Sequence, residues 1–254
     1  MKKVWYQVYE KNHSYRGNEP YFYTYEEFEW AKKLKEAFPI MFEELQPLMN
    51  DKEQALKTYF RDASQNKIGA WKTTGLKFWS RDHRKNLEKY PQTTAILNSI
   101  PNLVGATFNL LEPGGHILPH HGETNANIRC QIPFKVPSPL PECGFKVGDE
   151  SNSWEVGIPL LFTDAHRHTA WNHSEGTRYI MIVDVIREDF KNQTYGICCN
   201  VMAMQSLAIL CAVLKINVLT LNYTVRCLLY YPILGFWYLY MPIHRKFGSY
   251  IYGT

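Results

Sequence analysis

Six of the nine histidines in this 254-residue chain fall between Asn109 and Arg178. They lie in a pattern of short apolar runs separated by turn residues, which is typical of β-structure. Imidazole is a common metal ligand, and histidines from separate strands can converge on one ion. We therefore expect the chemistry of the protein in this stretch, with two of these histidines binding a metal.

The elements that position these histidines are predicted to be short strands. Apolar periodicity and turn residues place them at 104–111, 116–119, 128–136, 144–147, 159–163, 168–172 and 178–186. Residues 148–152 are predicted to form a turn. Short strands at this spacing favour a sandwich or a barrel.

The last predicted strand, RYIMIVDV, carries an arginine on an apolar face. Side chains alternate across a strand, so Arg178 shares a face with Ile180 and Ile182. A buried arginine is costly unless it meets an anion. The pattern therefore predicts a ligand with a carboxylate inside the barrel.

Four segments carry a resemblance to a known family: PGGHILPHHGETN, IRCQIPFKVP, LLFTDAHRHTAWN and TRYIMIVDV. Together they resemble the aspartyl/asparaginyl β-hydroxylases, which are iron(II)- and 2-oxoglutarate-dependent dioxygenases. The resemblance covers roughly residues 90–190. It implies a mainly β protein with flanking helices and a double-stranded β-helix core, a jelly roll of the cupin-like kind. It also implies Fe(II), 2-oxoglutarate as cosubstrate, and O2.

The resemblance places the two iron ligands at His120, in PHHG, and His168, in FTDAHRH. Most iron/2-oxoglutarate enzymes have a carboxylate two residues after the first histidine, which completes a three-ligand set. Gly122 stands there in this chain, as in the animal aspartyl hydroxylases. The resemblance therefore implies a two-histidine site with water in the vacant place.

The neighbouring histidines have alternative interpretations. His166 shares the face of His168 if the segment is extended, so it competes for the role of second ligand. His121 is expected to point away from the metal. His116 and His173 are expected to be polar residues near the rim, with a hydrogen bond to a ligand as the alternative.

The resemblance also implies a cosubstrate pocket. Arg178 would form a bidentate pair with the distal carboxylate of 2-oxoglutarate, and with His120 and His168 it completes the predicted catalytic set. Arg129 and Asn109 match other residues of the family's pocket. Gln131 departs from the family, because animal members have a histidine there that contacts 2-oxoglutarate.

The favoured function is hydroxylation of the β carbon of Asp or Asn in a peptide or protein. The family also contains bacterial enzymes that hydroxylate acyl chains of membrane lipids, so a lipid substrate is the alternative. A hypothesis of a different class is a catalytically silent, membrane-tethered binding module that retains the fold. Gln131 and the missing carboxylate favour it. The retention of His120, His168, Arg129 and Arg178 together favours an enzyme.

Residues 1–100 are predicted to form a helical buttress before the catalytic core at 101–190. A helix is expected from Tyr25, capped by Thr24 and stopped by Pro39, and a second from about residue 40 to residue 60. The basic segment 67–89 is interpreted as a solvated helix face, with a phosphate- or lipid-facing patch as the alternative. A short helix is expected in YPQTTAILNSI.

Composition excludes some classes of protein. The chain is 45% hydrophobic and carries a net charge of +4 with interspersed signs, which argues against disorder and against nucleic-acid binding. Its six cysteines lack the spacing of a zinc site and are expected to be reduced thiols. No apolar run follows the first lysines, so we expect the chain to start in the cytosol.

Residues 191–254 are predicted to form a hydrophobic helical tail. The runs 197–214 and 227–243 contain no charged residue and lie at the lower limit for membrane spans. Membrane association through residues 198–246 is favoured over a buried helical pair, because WYLY followed by HRK is typical of an interfacial anchor. The protein is thus expected to be cytoplasmic, or associated with a membrane and facing the cytoplasm.

Overall fold

The computed structural model describes residues 3–9, 14–50, 57–58, 70–216 and 218–251. The helices are α1 (Glu29–Glu36), α2 (Phe38–Asn50), α3 (Arg84–Lys89), α4 (Pro91–Asn98), α5 (Thr194–Val213) and α6 (Tyr223–Ile251). The strands are β1 (Phe22–Tyr23), β2 (Lys57–Thr58), β3 (Trp71–Phe78), β4 (Arg81–Asp82), β5 (Leu103–Leu111), β6 (Gly115–His120), β7 (Asn127–Lys135), β8 (Cys143–Val147), β9 (Glu150–Asn152), β10 (Leu160–Phe162), β11 (His168–Asn172) and β12 (Arg178–Ile186).

The strands form two antiparallel sheets. The larger has the order β1-β10-β7-β12-β5-β3-β2, with β4 paired to β3, and the smaller has the order β6-β11-β8-β9. An apolar cluster that includes Phe145, Phe162 and Leu111 lies between them. The predicted mainly β, cupin-like jelly roll with flanking helices is confirmed, and each predicted strand matches an observed one to within one or two residues.

The helices of the N-terminal half cover the other face of the larger sheet. Leu34 of α1 and Met41 and Leu45 of α2 are fully buried against that face, in a cluster with Phe108. The predicted cap is confirmed as a capping box between Thr24 and Glu27, which opens a short 3-10 turn before α1.

Helix boundaries differ from the prediction at both ends of α2. Pro39 does not stop a helix but lies in the first turn of α2, where its missing N–H costs nothing. The predicted continuation to residue 60 is wrong at Lys57–Thr58, which form β2, and otherwise lies outside the described residues. The short helix predicted in YPQTTAILNSI is confirmed as α4.

The solvated helix predicted at 67–89 is wrong over β3. This strand pairs with β5 in the larger sheet, and Trp71 and Trp79 are buried. Lys72 reaches the surface and pairs with Glu112. Residues 67–69 lie outside the described residues. The first hundred residues therefore contribute strands to the sheet as well as helices, and part of the predicted turn at 148–152 is the edge strand β9.

The tail is helical, and α5 is a core helix. Its residues from Ile197 to Gln205 are buried, and they pack with Val104, Ile186 and Phe190 of the barrel. Of the described chain, the continuous helical segment Glu188–Val213 is long and apolar enough to cross a membrane, but 61% of its most apolar window is buried inside the protein. The alternative of a helical pair packed on the catalytic domain therefore describes α5.

Removing the tail is expected to destroy the fold. Truncation after Phe190 would expose the barrel residues beneath α5, so the truncated protein should aggregate.

A milder test is Leu207→Ala, which should lower the free energy of unfolding by about 2–5 kcal/mol because Leu207 is 1% exposed. The matched change Leu239→Ala on α6, where the side chain is 75% exposed, should shift it by less than about 0.5 kcal/mol. Equal denaturation midpoints for the two variants would contradict this assignment.

Candidate active site

Two histidines meet at the edge of the barrel interior. Strands β6 and β11 are antiparallel neighbours, and their register places His120 directly opposite His168. The centroids of the two imidazole rings are 4.2 Å apart. His168 is buried, whereas His120 is partly exposed. Strand pairing thus brings together the two residues predicted as metal ligands, although their role as ligands stays a prediction.

The hydrogen bonds of both rings fix their tautomers. His120 Nδ1 lies 2.7 Å from the carbonyl oxygen of Leu118, and His168 Nδ1 lies 2.8 Å from that of His166. A carbonyl oxygen only accepts, so each Nδ1 carries the proton and each Nε2 keeps its lone pair. Burial, and then the neighbouring His120, hold the pKa of His168 well below its usual value. His168 is therefore neutral, which is the form that binds metals.

The other histidines lie apart from this pair. His166 packs between the rings of Tyr15 and Tyr21, and its Nε2 is 2.8 Å from the carbonyl oxygen of Glu19. It ties the N-terminal segment to the barrel and does not line the cavity. His121 Nδ1 donates to the carbonyl oxygen of Ala165.

Two further histidines mark the outer rim. His116 lies 2.9 Å from the hydroxyl of Thr169, and its ring centroid is 6.4 Å from that of His173. Neither lines the cavity beside His120 and His168. The expected polar role of this pair near the rim therefore matches their position.

Arg178 is buried, and no carboxylate of the described chain pairs with it. It is 1% exposed, and within the described residues its Nε and Nη1 atoms have no hydrogen-bond partner. Its guanidinium lies 4.6 Å from the ring centroid of Trp154. Burial lowers the pKa of Arg178 to about 10, so the group stays charged at neutral pH.

The cavity lined by Arg178 also contains the paired histidines. Its walls come from both sheets. Among the described residues, the lining contains two arginines and two histidines but no acid: Trp71, Ile117, His120, Arg129, Gln131, Phe145, Phe162, His168, Ala170, Arg178, Ile180 and Ile182. The cavity therefore has a positive end at Arg178 and an end with two histidines, separated by apolar walls. It suits a small anion.

Gln131 and Asn109 each accept a hydrogen bond from an indole, and one of these two indoles, that of Trp71, lines the cavity. Gln131 lines the cavity, and its Oε1 accepts a hydrogen bond of 2.6 Å from the indole of Trp154. Asn109 does not line it; its Oδ1 accepts from the indole of Trp71, while its Nδ2 donates to Thr107. Asn109 thus acts on the cavity through Trp71, and direct contact of either residue with a cosubstrate stays a prediction.

Arg129 is engaged by carboxylates of the protein itself. Its Nη1 is 2.6 Å from Asp164, and its Nε is 2.8 Å from Asp184. Although burial opposes the charge, these two carboxylates raise the pKa of Arg129 above its usual value. Because its charge is already neutralised, Arg129 is a weaker partner than Arg178 for an incoming carboxylate. Its role in cosubstrate binding stays a prediction.

Asp164 is a site residue that the sequence did not assign. It is fully buried, and its Oδ1 lies 3.6 Å from Nε2 of His168. A side chain at residue 122 would place its Cβ only 2.0 Å from Asp164 Oδ2. The carboxylate of Asp164 therefore occupies the space that a side chain at Gly122 would need. The one sequence feature that could have indicated this role is the position of Asp164 four residues before His168, in FTDAH.

Gly122→Ala is expected to damage the site. The new Cβ would also lie 2.7 Å from the carbonyl oxygen of Asp164, so rotating the Asp164 side chain cannot relieve the clash. We expect a loss of about 1–3 kcal/mol in the free energy of unfolding, and weaker metal binding. Aspartate at this position, meant to complete a three-ligand set, should meet the same obstruction. Gly235→Ala on α6 is the control, because a Cβ there meets nothing within 4 Å. Metal affinity equal to that of the wild type in Gly122→Ala would contradict this interpretation.

The loop after His120 is held by hydrogen bonds from the N-terminal segment and from α5. Glu123 is 7% exposed and accepts a hydrogen bond from the side chain of Gln205 in α5. Its backbone oxygen accepts from the amide of Gln7. Asn125 accepts from the amide of Trp5. The helical tail therefore supports the loop that follows the first histidine.

Comparison with known proteins agrees with this geometry. A model of the aspartyl/asparaginyl β-hydroxylase family matches residues 35–188. The ornithine lipid ester-linked acyl 2-hydroxylase of Rhizobium tropici is 31% identical over 180 residues, which cover 67% of this chain and 62% of the relative. The aspartyl/asparaginyl β-hydroxylase of Homo sapiens is 28% identical over 129 residues, which cover 49% of this chain and 17% of the relative. The chain thus spans less than two thirds of the length of either relative.

Among solved structures, this chain has a low similarity to a cupin 2 conserved barrel domain protein from Rhodopseudomonas palustris. The match has a TM-score of 0.32 and 11% identity, with 51% of this chain and 68% of that chain covered. The family match is the stronger finding, since it spans more than half of the chain and includes both histidine motifs and Arg178. This chain belongs to the aspartyl/asparaginyl β-hydroxylase family.

Proposed function

We propose that this protein is an Fe(II)- and 2-oxoglutarate-dependent hydroxylase of an acyl chain in a polar membrane lipid. The observation that carries the chemistry is a cavity shared by the paired His120 and His168 and by the buried Arg178, whose Nε and Nη1 have no hydrogen-bond partner among the described residues. A metal at one end and a cation at the other match the two ends of a 2-oxo dicarboxylate. A barrel that served only as a scaffold would have no need of a buried, unpaired arginine.

The residues present fit this cofactor and cosubstrate. His120 and His168 would hold the metal through Nε2, and Arg178 would receive the distal carboxylate. Among the described residues, no group of three or more His, Cys, Asp and Glu side chains is placed to hold a metal ion, so other ligands would come from water and cosubstrate. When bound, the iron would supply O2 activation coupled to decarboxylation of 2-oxoglutarate, which yields succinate, CO2 and a hydroxylated substrate.

Protein side chains would orient these groups and exclude water. Asp164 and Arg129 form an ion pair beside His168 and would keep its ring in place. The rings of Phe145 and Phe162 pack within 6.0 Å of the His168 centroid, so they keep its surroundings apolar. A dry pocket protects a reactive centre from side reactions.

Two observations favour a lipid as substrate. The alignment with the ornithine lipid hydroxylase is longer than that with the human peptide-type relative, at 180 against 129 residues. The tail also exposes a row of large apolar side chains on α6, including Leu228, Phe236 and Leu239. A protein whose substrate lies in a bilayer can bind the membrane through such a surface.

Hydroxylation of Asp or Asn in a peptide is the second candidate. Gly122 favours it, because the glycine in PHHG is the feature shared with the animal aspartyl hydroxylases. The buried Asp164 beside Gly122 is compatible with either substrate, since it belongs to the metal end of the cavity.

Turnover of 2-oxoglutarate to succinate tests the proposal directly. Protein purified without oxygen would be loaded with Fe(II), and succinate would be measured with no substrate, with bacterial lipid extract and with acidic peptides. We expect stimulation by lipid, with a lipid product that has gained one oxygen atom. Stimulation by peptides alone would replace the lipid with the peptide function. Iron-loaded protein without succinate formation under any condition would favour the silent binding module.

A further inference from the structure

The outer face of α6 is an apolar stripe with no covering element in the described chain. Its members recur every three or four residues along one side of the helix: Val225, Leu228, Leu229, Pro232, Phe236, Leu239 and Ile243. Leu228 is 69% exposed, and Leu239 is 75% exposed. The stripe is about 27 Å long at 1.5 Å per residue. Two further apolar side chains are exposed where α5 ends and the turn to α6 begins: Val213 is 75% exposed and Leu214 is 59% exposed.

The opposite face of α6 fixes how the stripe is presented. Tyr230, Trp237 and Met241 are buried against α5 and the barrel. Tyr230 donates a hydrogen bond of 2.6 Å to Asn200, and Trp237 donates one of 2.9 Å to Ser206. The helix therefore cannot turn its stripe inward, and it cannot be surrounded by lipid on all sides.

The charge of this part of the chain is one-sided. Residues 190–254 contain no Asp or Glu, and their basic residues are Lys191, Lys215, Arg226, Arg245 and Lys246. Those five charges exceed the net charge of +4 of the whole chain, so the remainder is slightly acidic. Lys215 is exposed at the turn beside the apolar tip. At the other end of α6, Arg81, Arg84 and one acid, Asp82, lie near His244. Asp82 is paired with Lys77. Each end of the stripe therefore has an excess of basic residues.

We propose that this stripe, with the α5–α6 turn, is a docking surface for an anionic lipid bilayer, with α6 lying in the membrane plane. An uncharged apolar stripe flanked by basic residues matches the boundary between acyl chains and anionic headgroups. The burial of α5 and of the inner face of α6 excludes a crossing of the bilayer by either helix in this packing.

The surface deepens the proposed lipid hydroxylase and rests on it for the choice of substrate. Because α5 also contacts the loop after His120 through Gln205, the docking surface and the metal site are parts of one packed unit. Docking would therefore hold the catalytic domain at the membrane in a fixed orientation.

Vesicle flotation with the full chain tests this surface. Vesicles of phosphatidylethanolamine with phosphatidylglycerol would be compared with vesicles of phosphatidylcholine, at low and at high salt. We expect wild-type protein to float with the anionic vesicles and to stay bound at high salt, because apolar insertion is not screened. Leu228→Glu and Leu239→Glu should each lower binding about tenfold or more. Ile40→Glu, at an apolar side chain of α2 that is 45% exposed, is the matched control and should float like the wild type.

Several results would overturn this inference. These are wild-type protein that does not float, Glu variants that float unchanged, and a salt-stable dimer that the Glu variants dissociate without any vesicle binding. Both leucines are exposed, so thermal unfolding should confirm folded variants, and Leu239→Gln provides a milder second change. Turnover is measured separately: flotation without lipid turnover would refute the function alone, and lipid turnover without flotation would refute the surface alone.

Discussion

Alanine at His120 or at His168 is expected to abolish both iron binding and 2-oxoglutarate turnover while leaving the fold intact. Each ring would supply one of only two protein ligands through Nε2. Loss of a residue that merely supports a ligand costs roughly 10–100-fold in metal affinity, so loss of a ligand should cost more. Iron content after anaerobic loading, succinate formation and circular dichroism together check this expectation.

The matched control for these variants is His116→Ala. It removes an imidazole from the same strand as His120, but one that contacts Thr169 outside the cavity. It should keep iron and turnover. His166→Ala is a second comparison, because this residue was the competing ligand in the sequence. We expect this change to remove the hydrogen bond to Glu19 and to leave iron bound. If His166→Ala loses iron and His168→Ala keeps it, the ligand assignment is wrong by two residues.

The barrel was predictable because its strands carry their own signals. Alternation in RYIMIVDV placed Arg178 on an inward face, and the structure shows that side chain buried in the cavity. The strand β3 was missed for a physical reason. Its lysines, Lys72 and Lys77, are typical of a solvated helix when only the neighbouring residues are considered. The segment is a strand because it pairs with β5, about 35 residues further along the chain. Whether such a segment forms a helix or a strand therefore depends on the partner strand.

The supporting residues of the site could not be predicted for a similar reason. Trp154 was placed near a turn, and nothing in its neighbours indicates that it stacks on Arg178. Asp164 lies four residues before the second histidine in sequence, but its carboxylate fills the space beside Gly122 in the loop after β6, which is distant in sequence. The tail was ambiguous because a buried helix and a membrane helix have the same composition. Only the packing shows that α5 is the former and that α6 keeps one exposed face.

Arg178→Met is expected to raise the requirement for 2-oxoglutarate sharply while iron stays bound. Truncating one partner of a buried charge pair costs about 2–5 kcal/mol, which corresponds to well over tenfold in affinity. The structure adds a second expectation. No carboxylate of the described residues pairs with the guanidinium, so an apolar side chain removes a buried charge and should leave the free energy of unfolding unchanged or raise it. Thermal unfolding with and without 2-oxoglutarate would separate the two effects, because the cosubstrate should stabilise only the wild type.

Arg129→Met is the comparison that makes this test specific. Arg129 is paired with Asp164 and Asp184, so its removal leaves two buried carboxylates without their cation and should cost about 3–5 kcal/mol of stability. The two arginines line the same cavity and undergo the same substitution, yet we expect opposite effects on the free protein. If Arg178→Met destabilises the free protein as Arg129→Met does and keeps its cosubstrate affinity, then Arg178 has a structural role. The distal carboxylate of 2-oxoglutarate would then have to bind at Arg129, in competition with Asp164 for the same guanidinium.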